Sequence, residues 1–186
     1  METSRRKPGT GGAIPNSLAL DMLKFAKYLR RAKELGARHA KIIPVKTIVT
    51  AEWVRLKCQF GCSGYGQCLT CPPYSPTPDI TRRALGFYKH ALLAHGDAYT
   101  NIHRLIPVLE REIFLDGFHK AFGMGAGPCE LCGKCAKTCR HPEQTRPSLE
   151  ACGIDVYTTV RANDMPIKVL KDQACQGNYY GVILID

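Results

Sequence analysis

Eight of the ten cysteines in this chain fall in two tight groups: Cys58, Cys62, Cys68 and Cys71, then Cys129, Cys132, Cys135 and Cys139. Thiols repeated at such short intervals have to converge on metal or on one another, and the backbone between them has to turn tightly. Met1 to Gly12 is basic and then glycine-rich, without the apolar stretch and cleavage site of a secretory signal, so a disordered basic tail over residues 1–15 and a cytoplasmic location are expected. In such a reducing compartment clustered thiols bind metal rather than form disulfides. No run of about 18 apolar residues offers a membrane span. The length of 186 residues is enough for an ordinary hydrophobic core, so metal is not needed merely to rescue a minimal fold.

The second group reads Cx2Cx2Cx3C, the bacterial ferredoxin run, in which a short loop wraps three corners of a four-iron cube. A four-cysteine zinc ribbon separates its two knuckles by about 15 to 20 residues. Here only Gly133 and Lys134 separate Cys132 from Cys135, which favours iron–sulfur over zinc. The first group reads Cx3Cx5Cx2C, with Gly61, Gly64 and Gly66 between the cysteines, and differs from the Cx3Cx2C of radical enzymes that use S-adenosylmethionine. Zinc competes more seriously there. In two-cluster ferredoxins the last cysteine of each run, followed by proline, serves the other cluster. Pro72 follows Cys71, whereas Arg140 and His141 follow Cys139, so an exchange of Cys71 and Cys139 stays open. Cys152 and Cys175 stand alone and read as buried hydrophobes.

The rest of the chain reads as an α+β fold, residues 16–186 forming one domain: a small mixed sheet with flanking helices and two cysteine loops, at 58–78 and 127–147. Asn16 or Ser17 caps a helix with apolar positions Leu18, Met22, Phe25, Ala26, Leu29 and Ala32, ending near Gly36. Lys41–Thr50 is β-branched and reads as a strand, with Pro44 placing it at an edge or bulge. A short helix over Ala51–Lys57 precedes an irregular loop from Cys58 to Pro78. Thr77 and Pro78 then look like an N-cap and first helical residue, with that helix ending near Gly86. A strand over Phe87–Ala94, a crossover helix over Asn101–Phe118, a parallel third strand over Ala121–Ala126 and a last strand over Tyr179–Ile185 follow. The two cysteine spacings differ, so no duplication is inferred.

The stretch Cys58 to Pro78 with its CPPYSPTP, the segment FLDGFHKAFGMGAGPC ending at Cys129, and RPSLEACGIDV from Arg146 to Val156 together resemble a family of cysteine-rich, uncharacterised predicted metal-binding proteins widespread in anaerobic archaea and bacteria. The resemblance implies metal held by the clustered cysteines, with a four-iron cluster the usual suspicion, and it supplies no reaction.

Other motifs weigh less. Gly123, Gly125 and Gly127 form GxGxG without a following amphipathic helix, which suits a loop approaching a cluster better than a nucleotide site. His141 reads as a neighbour of the cysteines rather than a ligand. Arg146, Ser148 and Glu150 fit capping and a structural arginine at a helix start near Pro147, and Tyr157, Tyr179 and Tyr180 fit core or edge aromatics. Residues 1–50 carry 11 Lys/Arg against 3 Asp/Glu, while the remainder carries 15 against 13. Lys24, Lys27, Arg31 and Lys33 form a face opposite the apolar stripe, suited to an acidic redox partner ahead of nucleic acid. No nucleophile, base and orienting group come together in the sequence. The expected function is electron transfer, or a redox accessory role, on two 4Fe–4S clusters. A zinc-stapled interaction module and a cluster-bearing enzyme component with an open iron site are the alternatives.

Overall fold

A computed structural model describes residues 16–172 and 175–186, with side chains described from Lys24 onward in the first helix. The expected tail at 1–15 lies outside the described residues, as do the side chains of Leu18, Met22, Asn16 and Ser17 on which the expected stripe and cap rest. Helix α1 spans Asn16–Glu34 and is followed by strand β1, His39–Pro44, and a 3-10 turn at Val45–Thr47. Helix α2 is Trp53–Gly61 and α3 is Pro78–Leu85. Strand β2, His90–Gly96, leads through α4, Ile102–Leu115, to β3, Phe122–Met124. A 3-10 turn at Glu150–Cys152, helix α5 at Val156–Arg161 and strand β4 at Tyr179–Leu184 complete the order.

The fold is α+β, as the sequence suggests, but its four-stranded sheet is antiparallel at every strand pair, in the order β1-β2-β4-β3. The expected mixed sheet, with a parallel third strand, is corrected by where the C-terminal strand goes. Helix α4 does carry the chain across to a strand running in the direction of β2. Strand β4 then inserts between β2 and β3 and pairs antiparallel with both. Strand β1 does occupy an edge, but it stops at Pro44, which has no N–H to continue the ladder, and not at Thr50.

Alternation along the central strands builds a core on each face. Leu92, Ala94 and Ile183 face α1 and α4, meeting Phe25, Leu105, Ile106 and Ile113. Leu93, Val182 and Leu184 face the other way, toward Leu149, Cys152, Ile154 and Val160. Helix α4 lies very close to the sheet: a Cβ on Gly123 would fall 2.5 Å from an Ile106 methyl and 2.8 Å from the Glu110 carboxylate. Only glycine admits that approach.

Helix α1 corrects a second expectation. Its inward side is Phe25, Tyr28 and Ala32, while Ala26 is exposed. Lys24, Lys27 and Arg31 do not point away from this stripe; they flank it and meet Asp186, Asp116 and Glu112 at 3.9, 2.7 and 3.0 Å. The Tyr28 hydroxyl donates to Asp116 at 2.8 Å along the same seam. These three cations join α1 to α4 and to Asp186, while Lys33, the fourth of the expected face, is exposed and forms no ion pair among the described residues.

Candidate metal centre

The first cysteine group begins inside a helix. Helix α2 runs to Gly61, so Cys58 lies within it and Cys62 terminates it. Their i, i+4 spacing, one helical turn, puts both thiols on the same side. The irregular loop expected from Cys58 onward therefore starts only after Gly61. Arg55 fixes the helix in place: its guanidinium donates to the Ser75 hydroxyl at 3.3 Å and to the carbonyls of Pro76 and Ala151 at 2.9 Å each. Ser75 also donates to the Ala151 carbonyl at 2.7 Å, which ties the segment after Cys71 to the turn at Glu150–Cys152. Gly66, at φ 72°, makes the left-handed turn that brings the chain back, its N–H donating to the Pro72 carbonyl at 2.9 Å.

Cys58, Cys62 and Cys71 share the wall of one cavity of about 580 Å³. Burial pushes the Cys71 thiol up to about 11, with the neighbouring Cys68 and Cys62 adding to the effect. Burial also raises the Cys58 thiol, helped by the charges of Glu150 and Cys62 and opposed by Arg55. The fourth member of the sequence group is not there. Cys68 instead donates to the Cys129 carbonyl at 3.5 Å and, after burial, feels Cys135 and Cys129 most strongly. It borders a small hollow together with Cys129, Cys132, Cys135 and Cys139. Three of the eight thiols thus line one hollow and five the other, whereas the sequence groups them four and four. The two sets adjoin at Cys68 and Cys71, where the Cys71 N–H donates to the Cys68 carbonyl at 3.0 Å.

The second group sits on an irregular loop with a closed neck. The Gly125 N–H donates to the Pro147 carbonyl at 2.8 Å and the Leu149 N–H to the Gly125 carbonyl at 3.0 Å. Beside this neck Arg146 grips Glu110 with two bonds, of 2.5 and 2.6 Å, and Glu110 also accepts the Gly123 N–H at 2.8 Å. This is the structural arginine expected of RPSLE. Ser148 accepts the Ala151 N–H at 3.1 Å, the expected cap, although the element it opens is one 3-10 turn and not a longer helix. Two sulfurs in the loop already accept hydrogen bonds: Cys129 from the Thr145 hydroxyl at 3.2 Å, Cys139 from the His141 N–H at 3.4 Å.

Cys152 is buried in the core with its thiol pushed up to about 12 by burial, while Cys175 is only half-buried. Glu150 is the group the sequence reading missed. Its place in RPSLE suits capping, but its side chain opens into the cavity that holds Cys58, Cys62 and Cys71. Glu150 itself is exposed, and the protein around it nevertheless desolvates the carboxyl enough to raise it above the usual carboxylate range, partly opposed by its own N–H and by Ser148. Tyr180 is a core aromatic, as expected, and all three tyrosines, Tyr157, Tyr179 and Tyr180, line the cavity.

All eight clustered donors are soft thiols, the ligand type of iron–sulfur clusters and of structural zinc. Among the described residues no three Cys, His, Asp or Glu groups are gathered closely enough to hold a single metal ion. The three-thiol set falls short of the closed four-thiolate tetrahedron of structural zinc, whereas the five-thiol set holds enough donors for one. The donor chemistry fits a cube, which can bind three thiolates and leave one corner for another donor. No helix among the described residues is long and apolar enough to cross a membrane. No curated protein and no solved structure matches the chain. One family profile does, that of the "Predicted metal-binding protein (DUF2284)", over residues 41–185, a span that includes both cysteine groups. With most of its length matched, the chain belongs to this family of uncharacterised metal-binding proteins.

Proposed function

We propose that the protein carries two iron–sulfur clusters of the four-iron type and passes electrons between them. One cluster is held by Cys58, Cys62 and Cys71, the other by Cys129, Cys132, Cys135 and Cys139 with Cys68 beside them. The observation that carries this reading is that Cys68 and Cys71 line different hollows yet are joined through one tight turn, the Cys71 N–H donating to the Cys68 carbonyl at 3.0 Å. Metal centres built on those two sets are held next to each other by a four-residue segment of chain. When bound, the clusters supply one-electron chemistry. The protein's residues hold them, screen them and donate hydrogen bonds to their sulfurs. The all-thiol donor set suits a reducing cytoplasm, and an anaerobic one in particular, since exposed clusters are lost to oxygen.

An acidic redox partner fits the second site better than helix α1, where Lys24, Lys27 and Arg31 already meet acids of the chain. Arg104 and Arg111 line a groove of about 610 Å³ with Glu130 and Leu131 of the second cysteine loop. These two arginines, and Lys134 and Lys137 on the loop itself, form no ion pair among the described residues. Their charge would steer an acidic protein toward the second cluster.

Anaerobic purification with iron, sulfide and zinc analysis tests the reading. The expected result is a brown protein with about eight irons per chain and absorbance near about 400 nm that fades on reduction. A colourless protein holding about two zinc ions would show the loops to be zinc-stapled instead.

A further inference from the structure

We propose that the cavity beside Cys58, Cys62 and Cys71 binds a small apolar thiol, its hydrocarbon body against the aromatic wall and its sulfur directed to the three-cysteine end. The inference rests on the iron–sulfur reading of those cysteines and extends it to a ligand.

Three observations lead there. The volume, about 580 Å³, is shared: its cysteine end is where the cluster of the proposed function would sit, and the aromatic wall lines the part that is left, the whole being of the ~300–1,000 Å³ scale of small-molecule sites. The walls are mainly aromatic and aliphatic: Trp53, Tyr65, Pro128, Val156, Tyr157 and Tyr179 all contribute. Trp53, Tyr65 and Tyr179 stay 48, 37 and 44 % exposed around this one opening, where each would lose water on covering by an apolar ligand.

The polar lining groups narrow the choice. Asp155 accepts the N–H and hydroxyl of Thr158 at the start of α5, Asn178 is joined to His95, and the Tyr180 hydroxyl donates to the Pro166 carbonyl. Those groups are occupied. Lys57 forms no ion pair among the described residues, and Glu150 lies beside Cys58, whose thiol donates to the Glu150 carbonyl at 3.9 Å. With Lys57 and Glu150 both in the lining the cavity offers no net positive charge to a carboxylate or phosphate, and beside Cys58 such a ligand would meet the Glu150 carboxyl, whereas a thiol can donate its S–H to it. Three protein thiolates also leave a site one soft donor short of four, and a ligand sulfur is the matching donor.

The chain's single tryptophan, Trp53, lies in the cavity wall and reports occupancy directly. Anaerobically prepared holoprotein is titrated with phenylmethanethiol, with 2-hydroxyethanethiol as a thiol lacking the apolar body and toluene as a body lacking the thiol. Trp53 fluorescence and the electron paramagnetic resonance of the reduced protein are followed. The expected result is a saturable change in both signals with phenylmethanethiol, at least tenfold tighter than with either control. Tyr157→Ala and Tyr65→Ala, each at a partly exposed position, should each weaken binding about tenfold at unchanged iron content. Equal affinity for all three probes, or no fluorescence change in a protein with its full iron and sulfide, overturns the thiol site and leaves the two-cluster reading standing. Zinc in place of iron at Cys58, Cys62 and Cys71 overturns both.

Discussion

The two cysteine groups use the same side chain in different settings. Cys58 and Cys62 stand at the end of a helix that Arg55 bolts to two other segments, and with Cys71 they face a roomy apolar cavity. Cys129 to Cys139 lie on a loop without regular structure, tied at its neck, and with Cys68 they close around a small hollow near exposed cations. Identical donors therefore need not serve identical ends. The first setting leaves space for a small molecule and the second leaves a charged rim for a protein. An electron carrier with one end for each would use this asymmetry.

The largest test of the comparison is the allegiance of Cys68. Cys68→Ala should perturb the second cluster and leave the first intact, so that up to about four of eight irons are lost and the surviving signal is the one that Cys71→Ala abolishes. If Cys68→Ala and Cys71→Ala instead remove the same cluster, the division into three and five is wrong and the four-and-four grouping returns. Cys152→Ala should leave iron content unchanged, because that thiol is packed in the core away from both sets.

Next comes the neck of the second loop. Arg146 and Glu110 are largely buried, with side chains 19 and 10 % exposed, and Arg146→Ala strands a carboxylate that also holds the Gly123 N–H. Removing one partner of a buried pair costs about 3–5 kcal/mol. Chemical denaturation should show a loss of that order, and iron should leave the second site before the first. Equal loss from both sites would mean that the neck supports the whole fold and not the loop in particular.

How far the sequence foretold these settings depends on the range of the interaction. Thr77 and Pro78 start α3 as expected, and the Thr77 hydroxyl accepts the Ile80 N–H, because capping is settled within four residues. Asn101 caps α4 in the same way. The Cx2Cx2Cx3C spacing made the second loop legible for the same reason. The placement of β4 between β2 and β3, and the desertion of Cys68 to the second set, depend on contacts with residues 60 or more positions away, for which no local signal exists. Glu150 was hidden differently: it sits in a segment whose neighbours do cap a turn, and only the tertiary fold turns its side chain into the cavity. The i, i+4 spacing of Cys58 and Cys62 was a usable signal for helix, masked by the glycines that follow.

Charge separates the two regions more gently. Reversing Arg104 and Arg111 to Glu should slow electron exchange with an acidic partner several-fold at low salt, an effect that fades as the salt concentration rises and the Debye length falls to about 8 Å. The same reversal at Lys24 and Lys27 should act mainly on stability, since those cations meet Asp186 and Asp116 within the chain. Exposed pairs of this kind contribute about 0–1 kcal/mol each. Stopped-flow exchange rates for the two double variants, measured beside their melting temperatures, separate the cases. A slower exchange in the α1 variant alone would move the docking face back to α1.

The smallest effect concerns pH and bears on the first site only. His95 is buried on β2, its ring stacked 4.8 Å from Tyr180, its Nε2 bonded to Asn178 at 2.8 Å and its Nδ1 to His39 at 3.0 Å. Asn178 and Tyr180 both line the cavity. Burial lowers the His95 pKa most, with the neighbouring His39 and Arg38 also disfavouring a charge, while Asn178 and Asp97 act in the opposite sense. A histidine whose pKa is lower folded than unfolded takes up a proton on unfolding. Its contribution to stability is therefore complete above the unfolded value of about 6.5 and is lost as pH falls from there through the folded value. One such group imposes a slope of at most about 1.4 kcal/mol per pH unit. Melting curves between pH 7.5 and about 5 should show that slope. His95→Gln, which keeps a hydrogen-bonding side chain and cannot titrate, should flatten it. If acid also loosens the wall at Asn178 and Tyr180, Trp53 fluorescence should drift over the same pH interval in the native protein and stay level in His95→Gln. A drift that persists in the variant would assign it to the cysteines or Glu150 and detach His95 from the cavity.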